Sequence, residues 1–505
     1  MDSRRYRHVL ALALLFCIPG ITVAAPEVKT ASGTFLGINE GDVMAFKGIR
    51  YAEPPVGNRR WESPRAAAWS RKPLNATAFG PPCLQPPPPQ GEAIQGSEDC
   101  LSLNIWTPAT DDKLRPVMFW IHGGAFRSGN GNIPGALLAK QDAVVVSINY
   151  RLGPLGFFAH PALRNKSANF ALEDMVLALK WVQENIRAFG GNPYNVTIFG
   201  VSAGGQAVNL LMVNDSARGL FHKAIAQSGY AAWPLPRSVN APLPAPRRFD
   251  LGTADDAENI SQTLVAKLTD KRQSARVLRK LDGQALVNAL DGFQMPIVDG
   301  TSLREEPAIL FAEGKQAAIP FITGGNSFEG SVMPGTGITT EAFAKMLGDD
   351  FNALKTAYAA DFAVSQERGI TRMFGDNRYL LSARLLGSGM AAMNRESWLY
   401  YIDLGPAQNP QQWPGSPHGY DSVMLFGTDK ETNTEVRDLG VRLQQYWLAF
   451  ARKGRPEPEG LPKWPSYLPE TDRWMVFSER DGERAGLLKE KLDLLTARHA
   501  KRVQR

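Results

Sequence analysis

Short, uninterrupted apolar runs separated by helical stretches constrain this chain most. Val117-Met118-Phe119-Trp120-Ile121 is one such run, and residues 143–148 (AVVVSI) are another, rich in β-branched side chains. Runs like these suit strands buried on both faces of a parallel sheet. Between them and the next run, Val196–Phe199, lie Leu172, Val176, Leu179, Val182 and Ile186, spaced by four, three, three and four residues as on one face of a helix. A helix is expected after Gly204, and Ala224-Ile225-Ala226, Phe321-Ile322-Thr323 and Trp398–Ile402 read as further strands. The alternation predicts an α/β fold with a large, mostly parallel central sheet and helices on both faces.

Two stretches interrupt this rhythm. Residues 231–249 hold Pro234, Pro236, Pro242, Pro244 and Pro246 and open into a helical region over 254–290, and a second, mainly helical insertion spans about 340–395. Both are expected to shape a gorge over the sheet. The 505 residues are read as a leader over 1–24 and one domain over 25–505.

The leader has Arg4, Arg5 and Arg7, a ten-residue apolar run from Val9 to Ile18, the break Pro19-Gly20, and the small residues Thr22-Val23-Ala24. That is the build of a secretory signal peptide. The run is too short for the ~20 residues of a membrane span. Cleavage is expected after Ala24, since cutting after Ala25 would leave Pro26 first. A secreted or periplasmic protein follows. The formal charge of +6 lies in the leader and in the tail from Arg480 to Arg505, so the bulk of the chain is close to neutral, which argues against a nucleic-acid binder. Removing the leader removes Cys17 and leaves Cys83 and Cys100, a pair expected to form a disulfide after export.

Candidate chemistry sits at strand ends. Gly200-Val201-Ser202-Ala203-Gly204 follows the run Val196–Phe199 directly. A random chain of this length and ordinary composition would hold about 0.2 such pentapeptides, so the placement carries the argument. A tight strand-to-helix turn needs small residues around the Ser, whose hydroxyl it thrusts out at the top of the sheet. His122-Gly123-Gly124-Ala125 follows an earlier strand, and its glycines let backbone N–H groups approach a developing oxyanion, with the Ala203 N–H as a third donor.

A serine nucleophile needs a base. Of six histidines, His8 leaves with the leader, His122 belongs to the glycine turn, His499 lies in the charged tail, His160 sits in a loop, and His222 reads as structural. His418, in Ser416-Pro417-His418-Gly419-Tyr420-Asp421, remains as the base. The acid should lie between Ser202 and His418 at a strand end. Glu329, in Asn326-Ser327-Phe328-Glu329-Gly330, is a candidate, and Asp299 competes with it.

Taken together these segments resemble the type-B carboxylesterases of the carboxylesterase/cholinesterase family, which have the α/β-hydrolase fold. The likeness extends to Phe46-Lys47-Gly48-Ile49-Arg50-Tyr51-Ala52-Glu53-Pro54-Pro55, Glu98-Asp99-Cys100-Leu101-Ser102-Leu103-Asn104, Asn149-Tyr150-Arg151-Leu152-Gly153, Phe189-Gly190-Gly191-Asn192-Pro193, Gln227-Ser228-Gly229 and Trp464-Pro465-Ser466-Tyr467. It implies Ser202 as nucleophile, Glu329 as acid and His418 as base. It implies Gly123, Gly124 and Ala203 as oxyanion donors, Cys83–Cys100 as a disulfide, and Ser228 as a partner of the triad from behind. The implied function is hydrolysis of small-molecule carboxylic esters through an acyl-enzyme, with no metal or organic cofactor. A lipase or a detoxifying esterase for a bulky ester is the alternative, and a non-catalytic cholinesterase-like binding protein is a third reading.

Two departures stand out. Val201 occupies a position where the family often has Glu, and the segment between Cys83 and Cys100 contains no aromatic residue. The second argues against a choline-ester specialist, which would need a cation–π partner there.

Overall fold

In the computed structural model the expected apolar runs are strands of one sheet, and their side chains alternate between two cores. The structure describes residues 25–87, 96–241, 256–406, 414–427 and 432–503. The expected leader, residues 88–95 between the two cysteines, and Pro242, Pro244 and Pro246 of the first insertion lie outside the described residues.

Eleven strands form the main sheet: β1 (Ile38–Glu40), β2 (Val43–Arg50), β3 (Ser102–Thr107), β4 (Arg115–Ile121), β5 (Val144–Ile148), β6 (Gly191–Val201), β7 (Lys223–Gln227), β8 (Phe321–Asn326), β9 (Ser397–Ile402), β10 (Arg473–Phe477) and β11 (Gly482–Ala485). Their spatial order is β11-β10-β9-β8-β7-β6-β4-β5-β3-β2-β1. Every neighbouring pair from β5 through β10 is parallel. The flanking pairs are antiparallel. Glu27–Thr30, Gly33–Leu36 and Leu74–Asn75 make a separate three-stranded sheet.

The alternation along β4 shows why this register is firm. Val117, Phe119 and Ile121 face one core, and Met118 and Trp120 face the other. A one-residue slip would exchange the two sets of side chains. The first core is covered by α1 (Phe170–Asn185), α2 (Ala203–Met212) and, beyond α3 (Gln366–Gly375), by α4 (Leu381–Ala392). α5 (Tyr420–Gly427) and α6 (Thr434–Lys453) cover the second core. Leu439, Leu443, Trp447 and Phe450 of α6 recur at helical spacing and are all buried. The Asn433 side chain caps α6 by accepting from Glu435 N and Val436 N. The tail carries a further helix, α7 (Lys489–Val503), which buries Leu492 and Leu495 against the first core.

The family-like motifs are mostly ties between elements. Arg60 pairs with Glu98, Arg50 with Asp99, and Asn104 accepts from Gly48 N at 2.9 Å. Cys100 is bonded to Cys83. Arg151 forks onto the buried Asp174 carboxylate at 2.8 and 2.7 Å, fastening the chain after β5 to α1.

β4 lies between β5 and β6, so the chain leaves β4 to one side and returns on the other. A crevice at such a reversal is where open α/β sheets place ligands. The turns after β4 and β6 carry the predicted oxyanion glycines and Ser202.

Candidate active site

The turn after β6 explains its own glycines. A Cβ on Gly204 would stand 2.0 Å from the Ile121 carbonyl oxygen, and one on Gly200 would stand 2.5 Å from the same atom. A Cβ on Gly205 would lie 2.3 Å from the Gln227 oxygen. Only glycine lets this turn press against both β4 and β7. Ser202 itself has φ 57° and ψ −118°, a backbone conformation that side chains rarely adopt. Its N–H donates to Gln227 O at 2.8 Å, and its carbonyl accepts from Gln206 N at 2.8 Å as α2 begins. The strained turn leaves the hydroxyl at the crevice, with the residue 8% exposed.

The three residues predicted for proton transfer come together there. Ser202 Oγ lies 2.8 Å from His418 Nε2, across 216 positions of sequence. His418 Nδ1 is hydrogen-bonded to Glu329 Oε2. Glu329 is buried, and its second oxygen accepts from Ser228 Oγ at 2.6 Å and from Asn326 N at 2.6 Å. Further ties hold the two loops in register. Ser416 Oγ donates to Asn326 Oδ1 at 2.9 Å, Phe328 N donates to Ser416 O at 2.7 Å, and His418 N donates to Ser331 Oγ at 2.8 Å. Asp299, the competing carboxylate, is elsewhere. It accepts from Ala168 N, Thr301 N, Ser302 N and Leu303 N and closes its own turn.

The turn after β4 lies beside Ser202. A Cβ on Gly123 would meet Val201 O at 2.7 Å, and Gly124 has φ 103°. Among the described residues neither the Gly123 N–H nor the Gly124 N–H has a hydrogen-bond acceptor. Ala203 opens α2, where backbone donors lack intrahelical partners. His122 is turned away from the crevice. It stacks on Tyr150 with ring centroids 4.3 Å apart, and its Nδ1 lies 2.8 Å from Gly123 O. Burial pushes its pKa down to about 4, so it is neutral near pH 7. The Tyr150 hydroxyl donates to His122 O at 2.7 Å and braces the turn.

Val201 packs at the position where the family often has Glu. Its methyl groups lie 3.3 Å and 3.7 Å from the Cβ positions that Gly123 and Gly419 would have. Several nearby residues were not singled out from the sequence as part of the site. Asn326 and Ser416 lie inside the quoted motifs, and their neighbours were the available signal. Asp421 is fully buried, accepts from the Tyr400 hydroxyl at 2.6 Å, and has its pKa raised, chiefly by burial. Tyr379 packs on His418 with ring centroids 4.5 Å apart, and nothing in the local sequence pointed to it.

A hydroxyl, an imidazole and a carboxylate in a hydrogen-bonded series, beside free backbone N–H groups, can carry out acyl transfer. The comparisons place the chain among esterases. Residues 24–495 match the model of the carboxylesterase family. The chain is 33% identical to the fumonisin B1 esterase of Sphingopyxis macrogoltabida, over 91% of this chain and 87% of that protein. It is 35% identical to the para-nitrobenzyl esterase of Bacillus subtilis (strain 168), over 89% and 94%. A solved PNB esterase structure superposes with a TM-score of 0.79 at 32% identity, covering 94% of this chain and 100% of that one. The chain belongs to the carboxylesterase family and is a carboxylic ester hydrolase with the α/β-hydrolase fold.

Proposed function

We propose that this esterase works through Ser202, His418 and Glu329 and acts outside the cytoplasm. His418 Nε2 takes the Ser202 proton as Oγ attacks the ester carbonyl. Glu329 holds the imidazole by its Nδ1–H and stabilises the imidazolium. The N–H groups of Gly123, Gly124 and Ala203 receive the oxyanion; removing one such donor typically costs ~10²–10³ in rate. The C–O bond to the alcohol breaks, His418 gives the alcohol its proton, and an acyl-Ser202 remains. Water then attacks that ester, His418 takes its proton, and the acid leaves with Ser202 restored.

The observation that carries this reading is the 2.8 Å contact between Ser202 Oγ and His418 Nε2, with Glu329 on the other ring nitrogen. Turnover of a short-chain nitrophenyl ester tests it. Ser202→Ala is expected to lose activity by ~10⁴-fold or more; undiminished turnover would reject the assignment.

For the compartment, the Cys83–Cys100 disulfide supports export, and among the described residues no helix is long and apolar enough to cross a membrane. N-terminal sequencing of the exported protein is expected to begin at Ala25. A mature protein that keeps Met1 would contradict export by a cleaved leader.

A further inference from the structure

A guanidinium with no carboxylate partner among the described residues stands beside the proposed triad. Arg378 lies in the widened turn Asp376–Leu380 between α3 and α4 and is 1% exposed. Local widening of this kind recurs at functional sites. Aromatic rings surround it: Trp233 at 4.4 Å and Tyr230 at 4.5 Å from the guanidinium carbon, then Phe293, Tyr379 and Phe374 at 5.5, 5.8 and 6.0 Å. Among the described residues no carboxylate pairs with it. Among the described residues its Nη2 meets the Met295 sulfur, at 3.9 Å, and its Nε has no acceptor.

The neighbouring phenols share this deficit. The hydroxyls of Tyr230 and Tyr379 are buried against the Arg378 guanidinium, and among the described residues neither has an acceptor for its proton. Three donor-bearing groups thus meet at one spot: the phenol oxygens can accept from the guanidinium, but among the described residues neither phenol proton has an acceptor. Arginine stays charged at any ordinary pH. Ring faces offset part of its desolvation, but a buried charge and buried donors call for an anionic acceptor.

The spot connects to the chemistry from three sides. Tyr379 packs on His418. Tyr230 stands two residues after Ser228, which bonds Glu329. The segment carrying Phe293 and Met295 is tied to the oxyanion turn, since Gln294 N donates to Ala125 O and Arg127 Nη1 to Gly292 O. Phe293 and Met295 are only partly buried, so this side is the least closed.

We propose that Arg378, with the Tyr230 and Tyr379 hydroxyls, binds a carboxylate carried by the substrate, so that the preferred esters are anionic. A planar guanidinium matches a carboxylate bidentately, and the two phenols can donate to the same oxygens. This inference rests on the ester being processed at Ser202.

Two matched pairs of esters test it. Mono-nitrophenyl glutarate against its methyl ester places the carboxylate on the acyl side; 4-acetoxybenzoate against its methyl ester places it on the alcohol side. The wild-type enzyme is expected to favour the anionic member by about tenfold in kcat/KM in one pair, through KM. Arg378→Met should bring that ratio to about one, Arg378→Lys should keep part of it, and Tyr230→Phe should lower it. Ratios are taken per site titrated with a fluorophosphonate, so partial misfolding does not enter. No anionic preference in either pair, or equal losses for both members in Arg378→Met, would overturn the proposal. Glutarate binding to Ser202→Ala protein, read as a thermal shift, separates the two readings. If Ser202 is not the nucleophile, that variant turns over esters and still binds glutarate. If the carboxylate site is wrong, the variant is inert and glutarate gives no shift.

Discussion

Ser228 Oγ donates to Glu329 Oε1 at 2.6 Å, on the side of the carboxylate away from His418. Ser228 has φ 50°, and its N–H is held by Gly324 O at 2.9 Å, so the hydroxyl is aimed by a strained strand end. Glu329 therefore presents one oxygen to the imidazole while the other is tethered.

Ser228→Ala removes that tether but leaves the Asn326 N–H on the same oxygen. The expected result is a loss of about tenfold in kcat with KM little changed, which corresponds to roughly one hydrogen bond to a charged group. Steady-state kinetics on a neutral ester check it.

Gly204→Ala should be far worse. Its Cβ would be driven against the Ile121 carbonyl at 2.0 Å, a contact that backbone must move to relieve. A stability loss of about 3 kcal/mol, in the range of serious overpacking, is expected in denaturant titration, with activity falling in the folded fraction.

The Cys83–Cys100 bond closes a segment with a sequence separation of 17. The double replacement Cys83→Ser with Cys100→Ser should cost about 3 kcal/mol in equilibrium unfolding, as the chain-entropy account gives for a loop of this size. Reduction of the wild-type protein should have the same effect.

Asp376 supplies a pH test. It is fully buried, accepts from the Tyr358 hydroxyl at 2.9 Å, and burial raises its pKa from 3.8 to about 6. Arg372 and Lys491 act against that rise without cancelling it. An acid that is weaker in the folded state holds its proton longer than in the unfolded chain. Its contribution to stability is therefore fullest below pH 3.8 and declines as pH rises to about 6. Compared with Asp376→Asn, the wild type should lose up to about 3 kcal/mol across that window. Parallel unfolding free energies at pH 4 and pH 7 measure it.

Much of this molecule was legible because its central strands are buried on both faces. Val117–Ile121 and Phe321–Thr323 announce themselves as apolar runs, and they appear as β4 and β8. β2 was missed, since Lys47-Gly48 breaks its apolar pattern where the ladder with β3 shifts register. α7 was read only as a charged tail because it buries little beyond Leu492 and Leu495. Its charges are used within the helix, as when Lys489 pairs with Asp493, and across the fold, as when Arg502 pairs with Glu306.

In the site, Ser202 and the glycines were readable because backbone crowding dictates them. Glu329 and Asp299 could not be separated on pattern. Both follow apolar residues near an expected strand end or turn, and only the folded chain shows Asp299 spent on backbone N–H groups while Glu329 reaches an imidazole. Arg378 and Tyr379 left no trace, because what brings them to His418 is the packing of an insertion and not any local spacing.

The most direct measurement of the central claim is covalent. Purified protein is treated with a fluorophosphonate, digested, and mapped by mass spectrometry alongside residual turnover of a nitrophenyl ester. One adduct per chain on Ser202, with loss of turnover in proportion to labelling, is the predicted result. An adduct on another residue, or turnover that survives complete labelling of Ser202, would contradict it.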